Sequence, residues 1–198
     1  MKKIQKKSFP QLDRIFHSVV WTITPRPVWI VGTCNGDGTP NLSTITCVSN
    51  TPGPPENIIV SMSARQTIAN ILRTGEFSVN LCNVEMVDLV NYVGTVSGVD
   101  GAKDAIAYDF TWGKELRVPV LDASHCVMEC KVSHTHEVGD FHTFFGEVVA
   151  AHIDADLANP PMDSNESIMK WFQSIDIHKM NPLVYHSIQK YFQVGEKV

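Results

Sequence analysis

Apolar residues fall in short blocks along the chain, most of them of strand length. Val28–Cys34 (VWIVGTC) is a near-continuous apolar run, the pattern of a strand covered on both faces. Asn35-Gly36-Asp37-Gly38 follows, and Asn-Gly and Asp-Gly supply the positive φ that a hairpin turn needs. The chain returns as one strand over 41–50 (NLSTITCVSN), crosses a Pro-Gly-Pro-Pro loop, and resumes over 57–63 (NIIVSMS). Residues 64–74 predict a helix: Ser63 and Gln66 form a capping box, Ile68, Ile71 and Leu72 its apolar stripe, and Gly75 its stop. Another strand covers 76–81, and short helices and loops broken by Gly94, Gly98 and Gly101 fill 85–110. Two long strands, 124–137 and 141–154, meet across Val138-Gly139-Asp140. Residues 9–24 read as an amphipathic helix or entry segment stopped by Pro25 and Pro27, and 165–180 as a helix before a polar-aromatic tail. Strands dominate and hairpins link them, which predicts a mainly β (α+β) chain: a closed antiparallel barrel with peripheral helices.

Composition narrows the partners. The 198 residues suit one domain over 1–198, with 1–20 as an N-terminal extension and 165–198 as a C-terminal helix and tail. Net charge is −5, and Lys2, Lys3, Lys6 and Lys7 supply four of only 16 cations. So acidic a body repels phosphate backbones, which argues against nucleic acid as a partner. The basic start lacks an apolar stretch after it, and no run reaches the roughly 18–20 apolar residues of a membrane span. Five irregularly spaced cysteines make no disulfide framework. Cys126 and Cys130 sit four residues apart on a strand, roughly 13 Å, beyond disulfide reach. Free thiols and a cytoplasmic location are the expectation.

Familiar nucleotide signatures are missing: there is no GxGxxG, no GxxxxGK[ST] and no GxSxG. The unusual stretch is the return strand, where Asn41, Ser43, Thr44, Thr46 and Ser49 crowd polar groups beside the apolar 28–34 run. Ser61 and Ser63 close the next strand, and Arg65 and Thr67 open the capped helix. Arg65 is also the one Lys or Arg between residues 27 and 72. A helix N-terminus with a hydroxyl and an arginine suits a phosphate. The same residues also suit plain strand threonines and a capping serine.

Pro25-Arg-Pro-Val-Trp-Ile-Val-Gly-Thr, then Asp37-Gly, Asn41-Leu-Ser-Thr and Pro54-Pro55, resembles the flavin reductase-like family. Arg65-Gln-Thr, Asn70-Ile, Thr74-Gly-Glu-Phe-Ser-Val-Asn and Gly146-Glu-Val-Val continue the likeness in order. The ending, Pro182-Leu-Val-Tyr and then Tyr191-Phe-Gln-Val-Gly-Glu-Lys, is similar to the flavoredoxin branch. The resemblance implies an FMN-binding split β-barrel of antiparallel Greek-key type, working as a homodimer that holds FMN near the subunit interface. It implies a phosphate on Asn41, Ser43, Thr44, Arg65 and Thr67, with Thr46, Ser61 and Ser63 beside them, and an isoalloxazine ring near Arg26, Val28 and Trp29. The ring is expected against the 28–33 strand, its edge meeting backbone N–H groups of that strand or of residues 44–46.

The family often places a histidine two residues after Gly139, where this chain has Phe141, with His142 next. Neighbouring strand positions face opposite sides, so either a bulge restores His142 to the site or Phe141 lines it. Both are gate candidates. A metal is the weaker alternative: a three-residue turn would pair His136 with His142 beside His134, whereas a two-residue turn would separate them. Three functions follow: an NAD(P)H-dependent flavin or ferric-complex reductase using NADH or NADPH, an FMN electron carrier serving a protein partner, and a flavin-free binding barrel. A homodimer is expected from the aromatic surface of Phe141, Phe144, Phe145, Tyr185, Tyr191 and Phe192.

Overall fold

The computed structural model describes residues 25–63, 65–96, 107–155, 157, 164, 170–171, 173–187 and 190–195, with Arg65 and Ser187 described by backbone alone. The expected 9–24 segment and residues 165–169 and 172 of the expected 165–180 helix lie outside these residues; of the remainder, 170–171, 173–174 and 177–180 are helical. Strand β1 is Arg26–Pro27, β2 Trp29–Cys34, β3 Pro40–Ile45, β4 Val48–Thr51 and β5 Asn57–Met62. Helix α1 is Arg65–Thr74, β6 Glu76–Leu81, and a 3-10 turn at Val84–Met86 leads into α2, Val87–Thr95. Then come β7 (Phe110–Trp112), β8 (Pro119–Leu121), β9 (Cys126–Val138), β10 (Phe141–Ile153), the short α3 (Ile177–Met180), β11 (Val184–Ser187) and β12 (Lys190–Phe192).

Seven strands form one antiparallel sheet in the order β3-β2-β6-β9-β10-β5-β4. Its two edge strands are consecutive in sequence, joined only by Thr46 and Cys47. Laid flat, seven strands at ~4.8 Å spacing would part the edges by ~29 Å. Three Cα–Cα steps of ~3.8 Å reach at most ~11 Å. The sheet must therefore curl until its edges nearly meet. The expected single strand over 41–50 is thus two strands on opposite edges, broken where the chain steps between them.

The curl has an inside and an outside, and β2 alternates between them. Val31 joins Val60, Phe77, Val79 and Phe144 in the inner cluster, which α1 closes with Ile68 and Ile71. Val28 and Ile30 point the other way, toward Leu42, Val90, Leu121 and Leu183 beneath α2. Both faces of β2 are buried, as its apolar run requires. Leu72, expected in the stripe of α1, is instead 56% exposed, and Thr67 and Asn70 occupy the buried face. A bulge at Phe145/Gly146 bends β10 where the Phe77 ring fills the space a side chain at Gly146 would need.

Two short elements were not foreseen. The β7–β8 hairpin is fastened to the barrel by Glu129, a fully buried acid on β9. Its carboxylate accepts backbone N–H bonds from Lys114 (2.7 Å), Glu115 (3.0 Å) and Leu116 (2.7 Å), and lies 2.6 Å from His152 Nε2. Burial opposes its ionisation, but the imidazole and the three N–H groups outweigh that and hold the carboxyl below its ordinary value. In addition, β11 and β12 join β1 in a separate three-stranded sheet. The five cysteines are free thiols. Burial, with the Glu129 charge beside it, pushes the Cys130 thiol up to about 12.

A folded-state value below the unfolded one means that Glu129 stabilises the fold above the unfolded pKa and loses that contribution as pH falls through the folded value. We expect Glu129→Gln to cost about 1.5–3 kcal/mol at neutral pH. Urea unfolding should show this gap narrowing below pH ~4; a gap independent of pH would contradict the assignment.

Candidate functional site

Stepping the chain across the seam brings several strand ends to one end of the barrel. The Ser61 N–H bonds to the Cys47 carbonyl at 3.0 Å, which holds the end of β5 against the β3–β4 link. A cavity of about 540 Å³ opens there, within the range that takes small cofactors. Its floor is Ser43, Thr44 and Ile45 of β3 with Thr46 and Cys47; Ser61, Met62 and Ser63 form one side.

Helix α2 supplies the facing side with Val90, Asn91, Gly94 and Thr95. Thr44 fixes that helix, its hydroxyl donating to the Val90 carbonyl at 2.6 Å. Gly94 allows the approach, since a Cβ there would lie 3.2 Å from Thr44 Cβ. The remaining walls come from far along the chain: Phe141 at the β9–β10 hairpin tip, and Tyr185 and Tyr191 of the C-terminal strand pair. The Tyr191 hydroxyl donates to Asn91 Oδ1 at 3.2 Å, joining that pair to α2. Burial, then Tyr185 and Cys82, raises the Tyr191 phenol above its ordinary value, so it remains a donor.

Among the expected cofactor residues, Ser43, Thr44, Thr46, Ser61 and Ser63 line this cavity together. Asn41 and Thr67 do not line it. Asn41 Nδ2 donates to Thr67 Oγ1 (3.0 Å) and Thr33 Oγ1 (3.1 Å), and Asn70 Nδ2 donates to Thr33 Oγ1 (3.0 Å) and Asn35 Oδ1 (2.8 Å). This buried network ties α1 to the β2–β3 hairpin, so for Asn41 and Thr67 the plain structural reading accounts for the polar side chains. Val28 is fully buried in the outer core. Trp29 lines a separate groove of about 610 Å³ with Pro27, Val48, Ile58, Met128 and Val148. Arg26 reaches the rim, its Nη1 3.6 Å from Cys47 Sγ. Arg65 opens α1 two residues after Ser63. Trp29–Gly32 are flanked by β3 and β6, so their backbone donors are taken up in the ladder. β3, by contrast, is an edge strand with a strand neighbour on one side only.

The hairpin question resolves in favour of the phenylalanine. Val138 pairs with Phe141 across a two-residue turn, and the first register shift comes only at Phe145/Gly146. Without a bulge at the tip, Phe141 lines the cavity, half exposed, and His142 faces the other side. His142 stacks on Phe144, with Nε2 3.2 Å from Glu137 Oε1. His136 pairs with Thr143 instead of His142, and no metal-binding cluster occurs among the described residues. Sequence reasoning missed Asn91, Gly94, Thr95, Tyr185 and Tyr191. The two tyrosines were expected at a homodimer surface and in the flavoredoxin-like ending, not at the cavity.

Comparison with known proteins agrees with this geometry. The family model described as flavin reductase like domain matches residues 21–194. An uncharacterized protein of Methanothermobacter thermautotrophicus is 32% identical over 174 residues, covering 82% of this chain and 75% of that protein. Flavoredoxin from Methanosarcina acetivorans superposes with a TM-score of 0.75 at 27% identity, covering 89% of this chain and 88% of its own. A Shewanella frigidimarina putative flavin reductase with split barrel domain reaches 0.82 at 16% identity over 100% and 97%. That last likeness shows the fold alone. The chain belongs to the flavin reductase-like family, its fold is the split barrel, and flavoredoxins are among its structural neighbours. Among the described residues no helix is long and apolar enough to cross a membrane.

Proposed function

We propose that this member of the flavin reductase-like family binds FMN in the cavity at the barrel seam and acts as an NAD(P)H-dependent flavin or ferric-complex reductase. The observation that carries the reading is the polarity of the cavity. Hydroxyls of Ser61 and Ser63 lead toward the N-terminus of α1 and Arg65, with Phe141 of the neighbouring strand beside them, and Tyr185 and Tyr191 stand at another wall. Such a site fits a flat heteroaromatic ring with a polar, phosphorylated tail. Helix N–H groups and Arg65 would hold the phosphate. Ser43, Thr46 and Ser61 would meet the polar chain, and the free edge of β3 at residues 44–46 would meet the ring edge. Bound FMN would supply hydride and electron transfer, and the protein would supply binding, orientation and preorganised donors.

A carrier without substrate turnover is the second reading, and one feature favours it. Among the described lining residues there is no His, Asp, Glu, Lys or Arg, and Phe141 stands where the family often has histidine. The described lining thus offers no strong acid or base to a substrate in the cavity. Its phenols, hydroxyls and thiol bind and orient. NADH and NADPH oxidation by the FMN-loaded protein, followed with free FMN as acceptor, separates the two. The reductase reading expects turnover with at least one of them, and its absence with both leaves the carrier.

Phosphate recognition is tested by Arg65→Ala. A charge-assisted bond of about 1.5–3 kcal/mol corresponds to roughly ten- to hundredfold in FMN affinity. Riboflavin, which has no phosphate, should bind the variant and the parent alike. Equal losses for both ligands in titration would exclude Arg65 as the phosphate partner. We further propose a homodimer, with the apolar groove of Trp29, Val48, Ile58 and Met128 beside edge strand β4 as the seat of the second copy. Sedimentation at micromolar concentration should give twice the 22.0 kDa chain mass; a monomer with FMN bound would refute it.

A further inference from the structure

The C-terminal strand pair is anchored to the cavity more firmly than its length requires. Two strands of four and three residues are marginal on their own. Here they carry Tyr185 and Tyr191 in direct register, with ring centroids 6.0 Å apart and planes at 60°. One fastening is the Tyr191 hydroxyl on Asn91 of α2. The other runs through β1, where Arg26 pairs with Tyr185 and its guanidinium reaches Cys47 at the seam. Both tyrosines border the cavity while also packing against the outer core. Tyrosine has only two side-chain torsions and presents a rigid amphipathic face at little entropic cost.

We infer that Tyr185 and Tyr191 form a fixed phenolic wall that contacts the isoalloxazine ring of FMN, so that the C-terminal strand pair sets which end of the cavity takes the ring. The inference rests on the FMN reading above and adds to it the orientation of the cofactor and the residues that fix it. Polarity supports that orientation. With Ser63 and the start of α1 taking the phosphate, the electron-poor ring falls toward Tyr185 and Tyr191, whose electron-rich phenols stack favourably on it. The alternative is that the two rings merely cap the outer core.

Emission of bound FMN separates these roles. A tyrosine in contact with the excited ring lends it an electron and recovers it, quenching fluorescence with no net chemistry, whereas phenylalanine packs alike but cannot donate. Wild-type protein titrated with FMN should bind it with emission well below that of the free cofactor. In the double variant Tyr185→Phe/Tyr191→Phe, bound emission and lifetime should rise severalfold while affinity changes by less than about threefold. Tyr191→Leu should weaken FMN by roughly three- to tenfold through lost stacking. If FMN binds to wild type and the double variant with the same low emission, the wall does not contact the ring and the inference is wrong, while the FMN reading stands. If wild-type protein binds no FMN, both fall together.

Discussion

Two residues, Thr46 and Cys47, link the opposite edges of a seven-stranded sheet, and the rest of the molecule follows from that short reach. The sheet cannot lie flat and must curl. Curling creates an inner core that α1 closes and an outer surface that needs α2, β8 and the C-terminal strands to cover it. It also gathers the ends of β3 and β5 and the start of β4 at one place, where edge strand β3 has a strand neighbour on one side only. The cavity is the consequence of the seam: polar groups are exposed there because the sheet stops there.

Distance from the seam also divides the polar residues of β3. Asn41 lies far from the seam and spends its amide on Thr33 and Thr67 inside a closed network. Thr44 spends its hydroxyl on α2, which makes it an organiser of the wall as well as part of the floor. Ser43 and Thr46 remain for a ligand. The same strand therefore serves structure at one end and binding at the other. Away from the seam, Glu129 shows a buried charge used for fastening, with every available donor drawn from one loop and one histidine.

Much of this was legible in the sequence wherever a local signal decided the outcome. The apolar 28–34 run, the Asn-Gly-Asp-Gly turn, the helix before Gly75 and the strand at Glu76–Leu81 each carry their own pattern, and each is present. The break at Thr46–Cys47 has no Gly or Pro to announce it, because its cause is sheet closure. Leu72 was read from helical spacing, yet the buried face of α1 is set by the hydrogen bonds of Asn70 and Thr67 with the β2–β3 hairpin. Of the expected site, the hydroxyl residues were visible by composition. Asn91, Tyr185 and Tyr191 were not, since only tertiary structure brings residues a hundred positions apart to one wall. Trp29 was placed by family likeness at the ring, but strand alternation turns it toward the groove beside β4.

Hydrogen exchange of the backbone with and without FMN tests the central claim, that the seam cavity holds the flavin. Binding at the seam should slow exchange in residues 43–47, 61–63, 65–67, 90–95, 184–187 and 190–192, which lie at or beside the cavity, with residues 48–58 and 148–151 unaffected by FMN. Protection centred on 48–58 and 148–151, or none in α2 and the C-terminal strands, would place the flavin elsewhere and contradict it.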